Sequence, residues 1–147
     1  MQQNYPVKAL NMVILMVTDL DAAVAFYQDL GFKLVFRLKD TWAEFRIGSV
    51  KLGLCPTTQS QEGRRSGLVL EVEDLEGTYT RLKDSVRFLT EPKEAVHGKM
   101  ITFADPSGNV LDFYQPTPEK VAEMVKQRAQ EEEACAQKTG CCGGGNC

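Results

Sequence analysis

The strongest constraint on this chain is that it carries one pattern twice. The stretch "VTDLDAAVAFYQDLGF", Val17 to Phe32, returns in outline as "VEDLEGTYTRLKDSVRF", with Val17 matched by Val72, Asp19 by Asp74, Leu20 by Leu75, Asp21 by Glu76, Asp29 by Asp84 and Leu34 by Leu89. Every pair is 55 residues apart. A constant offset means that one supersecondary unit is used twice, and a unit of this size cannot bury its apolar face alone. The two copies must pack together, and 147 residues suit one such domain.

Each copy can be read element by element. "MVILMV" from Met12 to Val17 is an apolar, strand-favouring run that stops at polar Thr18 and Asp19. Asp19 is placed to cap a helix, Asp21 adds negative charge to its first turn, and Leu20, Val24, Tyr27 and Leu30 share one face. Gly31 supplies the left-handed residue that ends it. Three strands are expected next, in "KLVFRLK", "WAEFRIG" and "VKLGLC". The second copy offers "GLVLEV", a helical stripe of Leu75, Tyr79, Leu82 and Val86, then "RFLTE", "KMITFA" and "VLDFYQ", the last two joined by the turn "DPSGN". Both copies thus read strand, helix, strand, strand, strand, with module one at about 10–57 and module two at about 66–116 in a domain of residues 1–116.

After the repeat, Thr117 and Pro118 suit a helix start, and 117–138 is expected to form a C-terminal helix docking through Val121, Met124, Val125 and Arg128. Residues 139–147, "TGCCGGGNC" in outline, lack the apolar content for a core and are expected to be disordered. Four of the five cysteines, Cys135, Cys141, Cys142 and Cys147, crowd this end while Cys55 stands alone. That distribution is no disulfide framework, and it suits a reducing compartment. The N-terminal residues hold no apolar block of a secretory signal, so a cytoplasmic location is expected. No apolar run approaches the about 18 residues of a membrane span. A net charge of −3 argues against nucleic acid, for which "GRR" at Gly63 to Arg65 is too small a basic patch.

The motifs "VTDLDAAVAFYQDLGF" and "FADPSGNVLDFYQP", with the repeat between them, resemble the vicinal oxygen chelate superfamily of glyoxalase I, bleomycin-resistance and fosfomycin-resistance proteins and extradiol dioxygenases. The resemblance implies an α+β fold of paired βαβββ modules, with curled mixed sheets around a central cavity, and a homodimer. It also implies where a metal would sit. Metal-using members place His, Gln or Glu at four cavity-facing positions, which fall here at Met12, Gly53, Gly67 and Asp112. Only Asp112 is a ligand type, and the chain owns a single histidine, His97, in a loop. The superfamily's usual metal is therefore not expected, nor any other cofactor in the cavity.

A fold of this kind hosts many chemistries, so function rests on the lining. Strand alternation puts Met12, Ile14 and Met16 on the cavity side of the first strand, Gly67, Val69 and Glu71 on that of the fifth, and Asp112 and Tyr114 on that of the last. Trp42, Glu44 and Arg46 share one face of the third strand. An aromatic ring, a carboxylate and a guanidinium together can orient a small organic ligand. Glu71 interrupts an apolar strand and is either a cavity carboxylate or an exposed strand end. Met12, Met16 and Met100 would add adaptable surface.

Three functions follow in order. The first is a metal-free small-molecule-binding protein, with Met12, Trp42, Glu44, Arg46, Glu71, Asp112 and Tyr114 as the ligand residues. The second is a lyase or dioxygenase holding a metal through Glu44, Glu71 and Asp112. The third is a protein that handles a soft ion such as Cu(I), Cd(II) or trivalent arsenic through Cys135, Cys141, Cys142 and Cys147, since thiolates suit soft acids.

Overall fold

The computed structural model describes residues 6–139. Module one runs β1 (Met12–Val17), α1 (Leu20–Asp29), β2 (Lys33–Leu38), β3 (Trp42–Ile47) and β4 (Val50–Pro56). Module two runs β5 (Arg65–Glu71), α2 (Leu75–Leu82), β6 (Arg87–Phe88), β7 (Lys93–Ala95), β8 (Gly98–Ala104) and β9 (Val110–Pro116), and α3 (Pro118–Thr139) follows. The sheets are separate, ordered β1-β4-β3-β2 and β5-β9-β8-β6, with β7 on β8. In each, the first strand pairs parallel to the last, and the other pairings are antiparallel. The architecture is α+β with mixed sheets and no closed barrel.

The repeat is visible at the helix starts. Asp19 and Asp74 both sit at φ −135 with ψ 104 and 100, and each carboxylate accepts a hydrogen bond from a backbone N–H three residues on, Ala22 and Gly77. At the far end of α1, Gly31 has φ 99, its N–H reaches the Gln28 carbonyl, and the Phe32 N–H reaches Tyr27. This double closure satisfies two carbonyls that the helix leaves open.

One apolar core joins the modules on the helix side of both sheets. Leu15, Val17, Ala43, Phe45 and Leu54 meet Leu20, Ala23 and Tyr27 of α1, and the same cluster continues into Leu75, Ile101, Phe103, Leu111 and Phe113. Phe103 stacks on Phe113 at 4.2 Å, and Phe26 of α1 lies 6.3 Å from Phe103 across the module boundary.

Three details depart from expectation. "RFLTE" contributes only Arg87 and Phe88 as a strand, and β7 was not foreseen, because "EPKEAV" has no alternation to mark it. The helix at 117–138 forms, but Val121, Met124 and Val125 are 42%, 40% and 63% exposed, so the expected stripe does not dock on this chain. The first turn of α3 is held instead by polar contacts, Lys120 with Glu94 and the Thr117 N–H to the His97 carbonyl.

Candidate functional site

The face of β1-β4-β3-β2 away from α1 is laid out in rows by strand register. One row crosses Ile14, Gly53, Glu44 and Phe36, and the next crosses Met12, Lys51, Arg46 and Lys33. Trp42 lies opposite Leu38 on the same face. The parity expected of β3 is therefore observed: Ala43 and Phe45 are fully buried on the helix side, while Trp42, Glu44 and Arg46 share the open one.

Gly53 shapes this face. A Cβ there would fall 2.3 Å from Cη2 and 2.5 Å from Cζ2 of Trp42, and 3.2 Å from Sδ of Met12. The six-membered ring of the only tryptophan thus reaches over the backbone of β4 and abuts Met12, an approach that any side chain at 53 would block. Beside it, Glu44 keeps only 8% of its exposure. Its charged partner is Lys51, with Nζ 3.8 Å from the carboxylate, too far for a hydrogen bond.

The open face of the second sheet is built from rows of Val69, Asp112 and Thr102, and of Glu71, Tyr114, Met100 and Lys93. Asp112 accepts a hydrogen bond from the Thr102 hydroxyl at 2.6 Å, and Glu71 is an exposed strand end. Tyr114 Oη lies 3.0 Å from the carbonyl oxygen of His97 and 2.6 Å from His97 Nδ1. A phenol has one proton, so which of the two contacts it donates to follows the tautomer of His97. The loop histidine is an exposed residue tied to Tyr114. That link was missed because 17 residues separate the two and only the β8–β9 pairing brings them together.

Among the described residues the two open faces keep apolar side chains uncovered. Ile14 and Val69, inside β1 and β5, are each 52% exposed, and Phe36 and Leu38 are 43% and 58% exposed. The contacts between modules use the other side. An apolar recess of about 260 Å³ lies between strands of the two modules, lined by Val13, Lys51 and Leu52 of the first and Leu68, Val69 and Leu111 of the second, and none of the expected ligand residues lines it.

The four positions where relatives would hold a metal do not fit one. Met12 offers a thioether, Gly53 is covered by Trp42, Gly67 adopts φ 74 at a strand irregularity, and Asp112, hydrogen-bonded by Thr102, is the one carboxylate among the four. A ligating side chain at Gly67 would be strained, and one at Gly53 would displace the indole. Among the described residues no group of three or more His, Cys, Asp or Glu is placed to hold an ion, and Glu44 lies on a different sheet from Glu71 and Asp112. Of the tail candidates, Cys135 is exposed on α3, and Cys141, Cys142 and Cys147 lie outside the described residues.

The signature motifs have another role. Asp105 of "DPSGN", 3% exposed, accepts four hydrogen bonds: the Ser107 and Asn109 N–H groups on Oδ1, and Tyr27 Oη and Asn109 Nδ2 on Oδ2. Asn109 also donates to the Met16 carbonyl, and the Thr18 N–H donates to Ser107. The "FYQDLGF" tyrosine and the "DPSGN" turn form a latch between modules. Burial, with Asp105 beside it, pushes the Tyr27 phenol far above its ordinary value.

Two repeated modules, βαβββ in the first and the same with the extra short β7 in the second, share a helix-side core and leave two open sheet faces, which defines a two-module protein whose chemistry is left to the sheets. The profile of the Glyoxalase/Bleomycin resistance protein/Dioxygenase superfamily matches residues 9–113, and the chain belongs to that superfamily. It is 31% identical to the metallothiol transferase FosB of Shouchella clausii, over 82% of this chain and 89% of that protein. Its fold is similar to that of TnmS3, an antibiotic binding protein from Streptomyces sp. CB03234, at a TM-score of 0.66 and 24% identity over 77% of this chain and 99% of the other. It is also similar to the fosfomycin resistance protein FosX of Listeria monocytogenes, at a TM-score of 0.66 and 18% identity over 80% and 98%. Among the described residues no helix is long and apolar enough to cross a membrane.

Proposed function

We infer that this chain is a metal-free, small-molecule-binding member of its superfamily, working as a cytoplasmic homodimer. The observation that carries the reading is Trp42 lying over Gly53 against Met12, at two of the positions where metal users need donors. An aromatic and thioether floor beside a single buried carboxylate suits an organic ligand better than a hard or borderline cation, which needs several oxygen or nitrogen donors. The name of TnmS3, an antibiotic binding protein, supports binding without chemistry.

The homodimer is supported by the exposed apolar side chains on the open faces, Ile14, Phe36 and Leu38 on one sheet and Val69 on the other. A second copy would cover them and enclose the ligand between sheets of different chains. Glu71, Asp112 and Tyr114 would then complete the lining supplied by Met12, Trp42, Glu44 and Arg46.

The enzyme reading is favoured by one finding, the name of the relative FosB as a metallothiol transferase. Elemental analysis and tryptophan emission separate the two readings. Purified protein is expected to contain no stoichiometric Zn, Ni, Mn or Fe, and aromatic antibiotics that bind should quench or shift Trp42. One equivalent of such a metal, lost in Asp112→Ala, would put the enzyme first.

A further inference from the structure

The row next to the Trp42 floor has an unusual charge pattern. Lys33 pairs in register with Arg46, and Arg46 with Lys51, so three cations stand side by side across three strands of one face. Like charges directly opposite one another destabilise a sheet. Glu44, the one carboxylate among these two rows, is turned to Lys51 at 3.8 Å, which leaves two cations in excess. Among the described residues Arg46 and Lys33 have no ion pair.

We propose that Lys33, Arg46 and Lys51 form an anion-recognition subsite. The ligand of this face is then a flat or aromatic molecule bearing a carboxylate, sulfonate, phosphate or phosphonate. The proposal rests on the reading of Trp42 as the ligand floor and adds the class of ligand. Residues two apart on a strand lie roughly 7 Å apart on one face. Since the indole reaches to the level of Glu44 and Gly53, the row of cations begins one such step further on. An aromatic body over the indole therefore places an acidic group of ordinary reach among the three cations. Arg46 offers a planar fork suited to an oxyanion, while Lys33 and Lys51 add point charge.

The test compares two dyes on the full chain. 1-Anilinonaphthalene-8-sulfonate carries the aromatic body and the anion, and N-phenyl-1-naphthylamine carries the body alone. Both accept excitation energy from Trp42. The sulfonate dye is expected to bind at least about tenfold more tightly, the size of one charge-assisted hydrogen bond. Lys33→Ala, at an exposed position, should remove most of that advantage while leaving the neutral dye unchanged, and Arg46→Ala should weaken the sulfonate dye more than the neutral one. Equal affinity for the two dyes, insensitive to both substitutions, would overturn the anion subsite and leave the floor standing. Failure of either dye to receive energy from Trp42 would overturn the floor as well. If the substitutions instead disperse the dimer at unchanged dye binding, the row is a subunit contact and the proposal fails.

Discussion

Two buried carboxylates, Asp105 at 3% exposure and Glu44 at 8%, are treated in opposite ways by the fold. Asp105 accepts four hydrogen bonds from groups fixed by the turn, by α1 and by Asn109. Glu44 has a lysine 3.8 Å away. A buried charge is tolerated when its lone pairs are filled, and a charge left short of partners is costly. The first arrangement spends its polarity on joining two modules. The second leaves its carboxylate beside the Trp42 ring with Lys51 as charged partner, on the face where a ligand is proposed to bind.

The largest expected effect breaks the latch. Asp105→Asn puts an amide donor where four donors converge and should cost about 3 kcal/mol or more in urea unfolding, with the modules losing cooperativity. The isosteric Glu44→Gln should change stability by less than about 1 kcal/mol, because few native bonds are lost, while weakening ligand binding. Equal costs for the two would remove the distinction between them.

Gly53→Ala comes next. The new methyl group must displace Trp42, at a cost of about 1–3 kcal/mol for overpacking, with a shift of the Trp42 emission and loss of the ligand surface. A variant of wild-type stability and emission would place the indole elsewhere.

Tyr27→Phe sharpens the latch more gently, at about 1 kcal/mol for the lost bond to Asp105. It also removes a pH dependence. The folded Tyr27 phenol titrates far above its unfolded value near 10. Above that pH the native state binds more protons than the unfolded one, so its contribution is complete below pH ~10 and falls by about 1.4 kcal/mol per unit above it. Wild-type protein should show this slope in alkaline urea melts and Tyr27→Phe should lose that part of it.

The helix caps and the side each strand residue faces were readable from the sequence because they depend on local rules. Asp19, Asp74 and Gly31 act within a few residues of themselves, and the alternation of Ala43 and Phe45 with Trp42 and Glu44 is a property of any half-buried strand. The latch was legible only as a pair of motifs. That Tyr27 bonds Asp105 depends on the fold bringing together positions 78 apart in sequence. Gly53 read as a missing metal ligand, and its close contact with Trp42 follows from the register of β3 on β4, which spacing alone left ambiguous. The row of Lys33, Arg46 and Lys51 was hidden for the same reason, since the irregularity between Leu34 and Phe36 shifts the pairing of β2. The apolar stripe of α3 suggested docking, but Val121, Met124 and Val125 stay exposed, because helical spacing of apolar residues does not itself supply a surface to pack on.

The central claim is that a ligand binds over Trp42 without a metal. The most direct test titrates the sulfonate dye against protein dialysed with a strong chelator and verified metal-free, reading energy transfer from Trp42. The account predicts saturable binding, unchanged when one equivalent of Zn, Mn, Ni or Fe is restored and weakened by Arg46→Ala. Binding that disappears on chelation and returns with one equivalent of metal would contradict it.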